Sequence, residues 1–237
     1  MSDKIAYVLD FDGTVTTEDL STEMARYFGG ARFWDIENLY RQRKIGMRGW
    51  LDGMSSLLPA DMDLLLDFAF ERAALRPGFI EFVRQAREMG HPVYIASDGF
   101  GFYIRPILDK YGCLDLTDTV YKNETLPREG GTLQVKTPHR HLTCPVCGNC
   151  KANHVLRLKN DGWKVIFSGD GSNDRFGASW SDRIFARDRL AQFCAEHGLP
   201  FTCWADFFDL LRADQGEFAS VVKPSPFCRP EAEGYLK

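Results

Sequence analysis

Three short apolar runs, each followed at once by a polar loop rich in aspartate and glycine, constrain the fold more than any other feature of this sequence. The runs are Ile5–Leu9, Val93–Ala96 and residues 165–167, and a fourth lies at residues 184–186. Such runs are too short for buried helices and indicate strands that are covered on both faces. Helical periodicity separates them, which predicts an α/β, Rossmann-like fold with a mostly parallel sheet.

Residues 33–75, between the first two runs, keep a helical pattern interrupted near Pro59. A helix start is predicted at Thr16 and Thr17. We therefore expect a helical insertion at residues 16–76, between the two parts of a core formed by residues 1–15 and 77–215. Residues 216–237 are predicted to be a loosely held tail.

The chain carries a formal net charge of −4, which argues against nucleic acid or an acidic membrane surface as a partner. No stretch has the length and apolarity of a membrane span, and the N-terminus lacks the features of a signal peptide. These observations predict a cytoplasmic protein. The seven cysteines are an odd number, and in that compartment we expect them to be reduced.

Two of the strand-end loops are acidic. Asp10 and Asp12 lie two residues apart after the first strand, and Asp170 and Asp174 follow the third. Like charges this close repel each other unless a cation intervenes, and oxygen ligands favour Mg²⁺. Because sites in open α/β sheets form beyond the carboxyl ends of the strands, these loops are expected to meet there.

The loops resemble, in order, the four motifs of the haloacid dehalogenase superfamily: residues 10–14, Ser97, Lys151 and residues 169–174. The resemblance implies that Asp10 is a nucleophile that forms an aspartyl-phosphate, and that Asp12 is the general acid and base. It further implies that Ser97 and Lys151 bind the transferring phosphoryl group of a small phosphorylated metabolite.

The same resemblance implies a Mg²⁺ site formed by Asp10, the backbone carbonyl of Asp12, and Asp170. Asp174 would be a further ligand or a partner for Lys151. The alternatives to a phosphatase are a phosphotransferase or mutase of the same fold and a non-catalytic zinc-binding interaction protein. The sequence does not predict an oligomeric state.

The position of the helical insertion resembles the phosphoserine phosphatase-like branch, in which a small helical cap covers the site. Asp19, nine residues after the nucleophile, would then read the substrate, as would Asp98 and Gly99 beside Ser97. Arg48 is a candidate cap cation. Its competitors are nearby in the sequence: Arg41, Arg43 and Lys44.

Two groups within this branch are most similar to the chain. Phosphatases acting on the methionine-salvage compound 2-hydroxy-3-keto-5-methylthiopentenyl-1-phosphate share a cysteine-rich run directly before the lysine. Phosphoethanolamine/phosphocholine phosphatases share the Ser-Asp pair seen at Ser97 and Asp98, together with a Gly-Asp-Gly-x-Asn-Asp motif like that of residues 169–174. The additional carboxylate at Asp98 favours a cationic substrate.

Residues 123–150 are predicted to form an irregular flap or hairpin within the core, and this segment ends in a cluster of histidines and cysteines. One interpretation is a structural Zn²⁺ site beside Lys151. A second is a loop of reduced thiols in which one cysteine packs against the core, and a third is a redox switch. The candidate zinc ligands are His139, His141, Cys144, Cys147 and Cys150.

Overall fold

A computed structural model describes residues 4–213 of the chain, and these residues contain a six-stranded sheet in which every pair of neighbouring strands is parallel. The strand order is β3-β2-β1-β6-β7-β8, and a separate antiparallel hairpin joins β4 and β5. The strands are β1 (Ile5–Leu9), β2 (Val93–Ala96), β3 (Thr119–Tyr121), β4 (Glu124–Arg128), β5 (Thr132–Lys136), β6 (Lys164–Gly169), β7 (Arg183–Ala186) and β8 (Thr202–Cys203). The predicted α/β fold is confirmed.

Helices cover both faces of the sheet. β1 is accordingly apolar and buried at every position. Its alternate residues point to opposite faces, so that Tyr7 packs in one hydrophobic core and Val8 in the other. The helices are α1 (Leu20–Gly29), α2 (Ala31–Arg41), α3 (Met47–Ser55), α4 (Met62–Arg72), α5 (Phe79–Glu88), α6 (Ile104–Lys110), α7 (Lys151–Asn160), α8 (Asp174–Ala178), α9 (Asp188–Glu196) and α10 (Phe207–Arg212). Residues of α5, α6 and α10 belong to the core that contains Tyr7, and residues of α7 and α9 to the core that contains Val8.

Helices α1 to α4 lie in the segment predicted to be a helical insertion and contact one another. Its two ends meet, because Thr16 and Leu75 pair as an antiparallel bridge. The first helix begins at Leu20 rather than at the predicted Thr16 and Thr17, since Asp19 caps it by accepting a hydrogen bond from the backbone N–H of Thr22 at 2.8 Å. Within residues 4–213, no helix combines the length and apolarity needed to cross a bilayer.

Helix α9 and strand β8 were not predicted. Arg187, at the N-cap position of α9, makes no side-chain capping bond, so the sequence lacks the usual signal of a helix start. Strand β8 comprises two residues at the edge of the sheet, which is too short to produce a recognisable pattern. The predicted tail at residues 216–237 lies outside the described residues.

Candidate active site

The chain turns sharply after β1, and this turn places the first acidic loop. The backbone N–H of Asp10 still follows the sheet and donates to the carbonyl of Ser168 at 3.0 Å. Gly13 has φ +79°, and a Cβ atom there would lie 2.5 Å from a carboxylate oxygen of Asp170, so only glycine fits. The buried guanidinium of Arg76 donates to the carbonyls of Gly13 and Thr14 at 2.6 and 2.9 Å and holds the turn in place.

Three carboxylates converge at the ends of β1 and β6. One oxygen each from Asp10, Asp170 and Asp174 lies within 4.8 Å of the others. Burial, followed by the charge of Asp174, raises the pKa of Asp10 well above its usual value and that of Asp170 to about 7. Oxygen donors that repel one another in this way fit a hard divalent cation such as Mg²⁺.

Lys151, the first residue of α7, ties two of these carboxylates together. Its buried ammonium lies 2.6 Å from Asp10 Oδ1 and 2.5 Å from Asp174 Oδ1. Burial alone would lower the pKa of Lys151, but the two carboxylates outweigh it and raise that pKa. The other oxygen of Asp174 accepts from the backbone N–H groups of Asp170 and Gly171, at 3.0 and 2.8 Å. Asp174 therefore partners Lys151 and shapes the fourth-motif loop.

The surroundings of Asp12 favour the protonated form of its carboxyl group. Burial, with the charge of Asp19 second, raises the pKa of Asp12 to about 8. The hydroxyl of Tyr103 lies 2.8 Å from both oxygens of Asp12, and the backbone N–H of Leu20 donates to Oδ1 at 3.2 Å. A carboxyl group that keeps its proton near neutral pH is suited to act as a general acid.

The loop after β2 lies beside Asp12 and contains Ser97, Asp98 and Gly99. The hydroxyl of Ser97 lies 3.4 Å from Asp12 Oδ2 and accepts from the backbone N–H of Gly99 at 3.1 Å. Asp98 is buried, which raises its pKa to about 7, and it accepts from the backbone N–H of Asn149 at 2.7 Å. A Cβ atom at Gly99 would lie 2.6 Å from Asp12 Oδ2, so glycine is needed for this close approach.

A cavity of about 110 Å³ opens over these residues and is bounded by both the sheet and the helical insertion. The insertion supplies a wall that is partly acidic and partly apolar. Glu37, which is buried, accepts from the indole N–H of Trp50 at 2.9 Å. The lining residues from the insertion include Asp19, Ser21, Thr22, Glu37, Tyr40, Met47 and Trp50.

The structure brings most of the predicted site residues to this cavity. Those that line it are Asp10, Asp12, Asp19, Asp98, Gly99, Lys151, Asp170 and Asp174, with Ser97 directly beside Asp12. Arg48 is not among them. Its guanidinium donates instead to the backbone carbonyls of Cys144 and Pro145, so its predicted role as a cation that contacts substrate is corrected to one of joining α3 to the segment before α7.

Several residues of the site were not predicted from the sequence. Besides Lys151, the cavity is lined by the cationic side chain of Arg189, which lies at the start of the unpredicted helix α9. Glu37, Trp50 and Tyr103 carry no motif, because each reaches the site through packing between elements that are far apart in the sequence. The only available signal was the helical phase of α2 and α3, which places Glu37 and Trp50 on buried faces.

The prediction of a structural zinc site is not supported. Among residues 4–213, the aspartate triad is the only group of three or more potential ligands that converges. The ring of His139 packs edge-on against Tyr121, with 5.2 Å between centroids. The Nδ1 atom of His141 accepts from the backbone N–H groups of Thr143 and Cys144, both at 3.3 Å. Cys150 is buried against a small apolar cluster, as in the reduced-thiol interpretation.

Comparisons with known proteins agree with this geometry. The model of the haloacid dehalogenase-like hydrolases matches residues 7–178. The chain is 32% identical over 219 residues to a 2-hydroxy-3-keto-5-methylthiopentenyl-1-phosphate phosphatase of Geobacillus kaustophilus, covering 91% of this chain and 97% of the relative. It is 30% identical to a protein of the same name from Exiguobacterium sibiricum, covering 87% and 94% of the two chains.

Solved structures share the fold at lower identity. A substrate-bound phosphoserine phosphatase superposes with a TM-score of 0.67 at 18% identity, covering 89% of this chain and 98% of the other. A haloacid dehalogenase family hydrolase from Salmonella enterica serovar Typhi superposes with a TM-score of 0.70, also at 18% identity, covering 89% and 71%. The family match, the relatives and the arrangement of the strand-end loops together show that the chain belongs to the haloacid dehalogenase-like hydrolases.

Proposed function

We propose that this protein is a Mg²⁺-dependent phosphatase that hydrolyses a small phosphomonoester through an aspartyl-phosphate on Asp10. One observation carries the proposal. The carboxylate of Asp10 is held 2.6 Å from the buried ammonium of Lys151, at the base of a cavity that Asp12 also lines. A nucleophile, its positioning cation and a proton donor therefore face one space.

In the first step, a carboxylate oxygen of Asp10 forms a bond to phosphorus while the bond to the leaving oxygen breaks. Asp12, whose pKa of about 8 keeps it protonated at neutral pH, gives its proton to that oxygen. In the second step, ionised Asp12 takes a proton from the water that attacks phosphorus and frees Asp10. Lys151 and the hydroxyl of Ser97 bind the transferring phosphoryl group and stabilise its charge.

The Mg²⁺ ion would be held by Asp10, Asp170 and the backbone carbonyl of Asp12, and Asp174 would support these ligands. When bound, the ion neutralises negative charge on these carboxylates and on the phosphoryl oxygens. Asp174 is already engaged by Lys151 and by two backbone N–H groups, so its contribution is to orient the ammonium and the loop. Thr14 orients Asp170 by donating to Oδ1 at 2.6 Å.

The helical insertion acts as a cap in this proposal. Its helices α1 to α3 supply one wall of the cavity, so the substrate must be enclosed between the insertion and the strand ends. Such enclosure excludes bulk water from the reacting phosphoryl group and lets the insertion select the leaving group. The small volume of the cavity favours a metabolite over a macromolecular substrate.

The first candidate substrate is a methionine-salvage compound of the kind named for the relatives, 2-hydroxy-3-keto-5-methylthiopentenyl-1-phosphate. The similarity to those proteins extends over nearly the whole chain. The cavity wall also includes the thioether of Met47 and the indole of Trp50, both apolar groups suited to packing against a methylthio tail.

A phosphoamine is the second candidate, and a specific feature of the cavity favours it. Asp19 and Asp98 line the cavity and belong to neither the metal cluster nor the proton donor. Glu37 also lines it, but its Oε1 is already paired with Arg41 at 2.7 Å. Arg189 is the one arginine among its described lining residues. A cationic leaving group would find more complementary charge here than an anionic one.

A panel of phosphomonoesters tests the proposal, with wild type compared with Asp98→Asn and with the control Asp67→Asn at an exposed position of α4. The panel contains a salvage-type sugar phosphate, phosphoethanolamine, phosphocholine and phosphoserine. A phosphoamine enzyme would lose kcat/KM for the amines alone in Asp98→Asn, whereas a salvage enzyme would prefer the sugar phosphate in all three proteins. Recovery of a phosphorylated acceptor in place of free phosphate would support a phosphotransferase instead.

A further inference from the structure

Asn149 lies two residues before Lys151 and is almost completely buried, with 1% of its surface exposed. Its side-chain amide nitrogen donates to the backbone carbonyl of Ser97 at 2.8 Å and to that of Tyr121 at 2.9 Å. Its backbone N–H donates to Asp98 Oδ1 at 2.7 Å. Asn149 therefore bonds to the second-motif loop through both its side chain and its backbone. It lies immediately before the helix that begins with Lys151.

The amide of Asn149 is itself held in one orientation. Two carbonyl oxygens face its nitrogen, so its oxygen must point the other way, towards His154 Nε2 at 2.7 Å. Because an amide oxygen only accepts, His154 donates from Nε2. His154 is buried, which lowers its pKa to about 3, so the imidazole is neutral and protonated on Nε2 alone.

His154 has its own support. Its ring stacks on that of Tyr121, with 3.9 Å between the centroids and 12° between the planes. The histidine lies one turn into α7, on the side of the helix that faces Asn149. The chain of contacts runs from the Tyr121 ring through His154 to Asn149, and from there to the loop that carries Ser97.

Cys150, at the N-cap position of α7, makes no side-chain capping bond. Besides its ion pairs with Asp10 and Asp174, Lys151 is placed relative to Ser97 by the segment that directly precedes the helix. In that segment, Asn149 bonds to the Ser97 loop through both its side chain and its backbone N–H. A phosphoryl group bound by both Ser97 and Lys151 requires this separation to be correct, because displacements near 1 Å cost about 10²-fold in rate.

We propose that Asn149, oriented by His154, is a positioning residue that sets the separation of Ser97 and Lys151 for phosphoryl transfer. The proposal rests on the function proposed above. It assigns a role to the buried pair that neither the motifs nor the metal cluster includes.

Two substitutions of His154 separate positioning from packing. His154→Phe keeps a ring to stack on Tyr121 but removes the Nε2 donor. His154→Gln places an amide donor near the same position but removes the ring. Tyr121→Phe is the control, since it removes the hydroxyl that accepts from Arg157 and leaves the Tyr121 ring and backbone carbonyl in place.

The measurements are kcat and KM for p-nitrophenyl phosphate with Mg²⁺, and the affinity for beryllium fluoride, a phosphoryl mimic whose binding to Asp10 is followed by ¹⁹F NMR. Positioning predicts that kcat falls about 5- to 20-fold in His154→Phe, with KM changed less than about twofold, and that His154→Gln and Tyr121→Phe stay within about threefold of wild type. Beryllium fluoride affinity should follow the same order.

The proposal is overturned if His154→Phe matches wild type in kcat and in beryllium fluoride affinity, or if His154→Gln is the more impaired of the two. The latter order would mean that the ring only packs. Absence of phosphate release by wild type would refute the proposed function. In that case the beryllium fluoride series still decides the positioning role, because this binding requires no turnover.

Discussion

The carboxyl edge of the sheet and the segment at residues 137–150 are both rich in potential metal ligands, yet only the first gathers them. At the sheet edge, β1 and β6 are neighbours, and Leu9 pairs with Ser168. The residues that follow these strands, Asp10 and Asp170, are therefore delivered to the same place. In the segment before α7, the thiols and imidazoles are close in sequence but point to different partners.

Convergence of the ligands therefore comes from the scaffold that carries them rather than from their spacing in the sequence alone. Parallel strands in register fix where their ends lie, whereas an irregular loop has its side-chain directions set by whatever it packs against. In this protein, the segment at residues 137–150 packs against the α3 region and the second-motif loop through Arg48 and Asn149. Its contribution is structural support for Lys151.

The largest expected effect at the sheet edge follows from changing the proton donor. Asp12→Asn removes the acid and the base but keeps the size of the side chain. We expect kcat for an unactivated phosphomonoester to fall about 10²- to 10⁴-fold, as measured by phosphate release. A substrate with a good leaving group, such as p-nitrophenyl phosphate, should be affected less in the first step. Because loss of the base slows the second step for every substrate, the acid role is read from kcat/KM, which reports the step that expels the leaving group. An equal loss of kcat/KM for both substrates would contradict the assignment of Asp12 as the acid.

Removing the buried cation should destabilise the same edge strongly. Lys151→Met leaves Asp10 and Asp174 without their shared partner, and breaking a buried pair of this kind costs about 3 kcal/mol or more. Urea unfolding of the metal-free protein measures the change. The control is Arg212→Met, which breaks the exposed pair with Asp209 and should cost less than about 1 kcal/mol. Equal losses in the free energy of unfolding would show that the buried ion pairs of Lys151 stabilise the fold no more than an exposed pair does.

The pH dependence of stability reports on the crowded carboxylates. Burial raises the pKa of Asp98 and Asp170 to about 7 and that of Asp12 to about 8. Between pH 6.5 and 8, the folded metal-free protein therefore holds protons that the unfolded chain has released, and its stability should fall by about 3 kcal/mol as the pH rises. Mg²⁺ should raise Tm more at pH 8 than at pH 6.5. If the Tm of the metal-free protein increases with pH over this range, the pKa values of these buried carboxyl groups are not raised in the folded protein.

The smallest effect is expected in the segment at residues 137–150. His141→Ala and Cys144→Ser remove two former zinc candidates, and we expect each to change stability by less than about 1 kcal/mol. Elemental analysis of the purified wild type should find zinc well below one equivalent, and a chelator should leave the Tm of the Mg²⁺-free protein unchanged. Stoichiometric zinc that is lost in both variants would reverse the comparison between the two regions.

The strands β1, β2, β6 and β7 and the acidic loops after β1 and β6 were predictable because short apolar runs and Asp-Gly turns carry local signals. The proposed catalytic set of Asp10, Asp12, Ser97 and Lys151 could be named because the loops resemble the family's motifs in order. Arg48 could not be distinguished from its basic neighbours, since only the packing of α3 against Cys144 and Pro145 decides where its guanidinium lies. The part of the cavity wall formed by Glu37 and Trp50 arises from contact between two helices, so no local sequence motif indicates it.

The most direct test of the central claim is phosphate release by wild type and by Asp10→Asn, each with and without Mg²⁺, on the best substrate of the panel. We expect release by wild type that requires Mg²⁺ and a loss of at least about 10³-fold in Asp10→Asn, while that variant remains folded by circular dichroism. Release that persists in folded Asp10→Asn, or that proceeds equally well without Mg²⁺, would contradict the assignment of Asp10 as the nucleophile at a metal-assisted site.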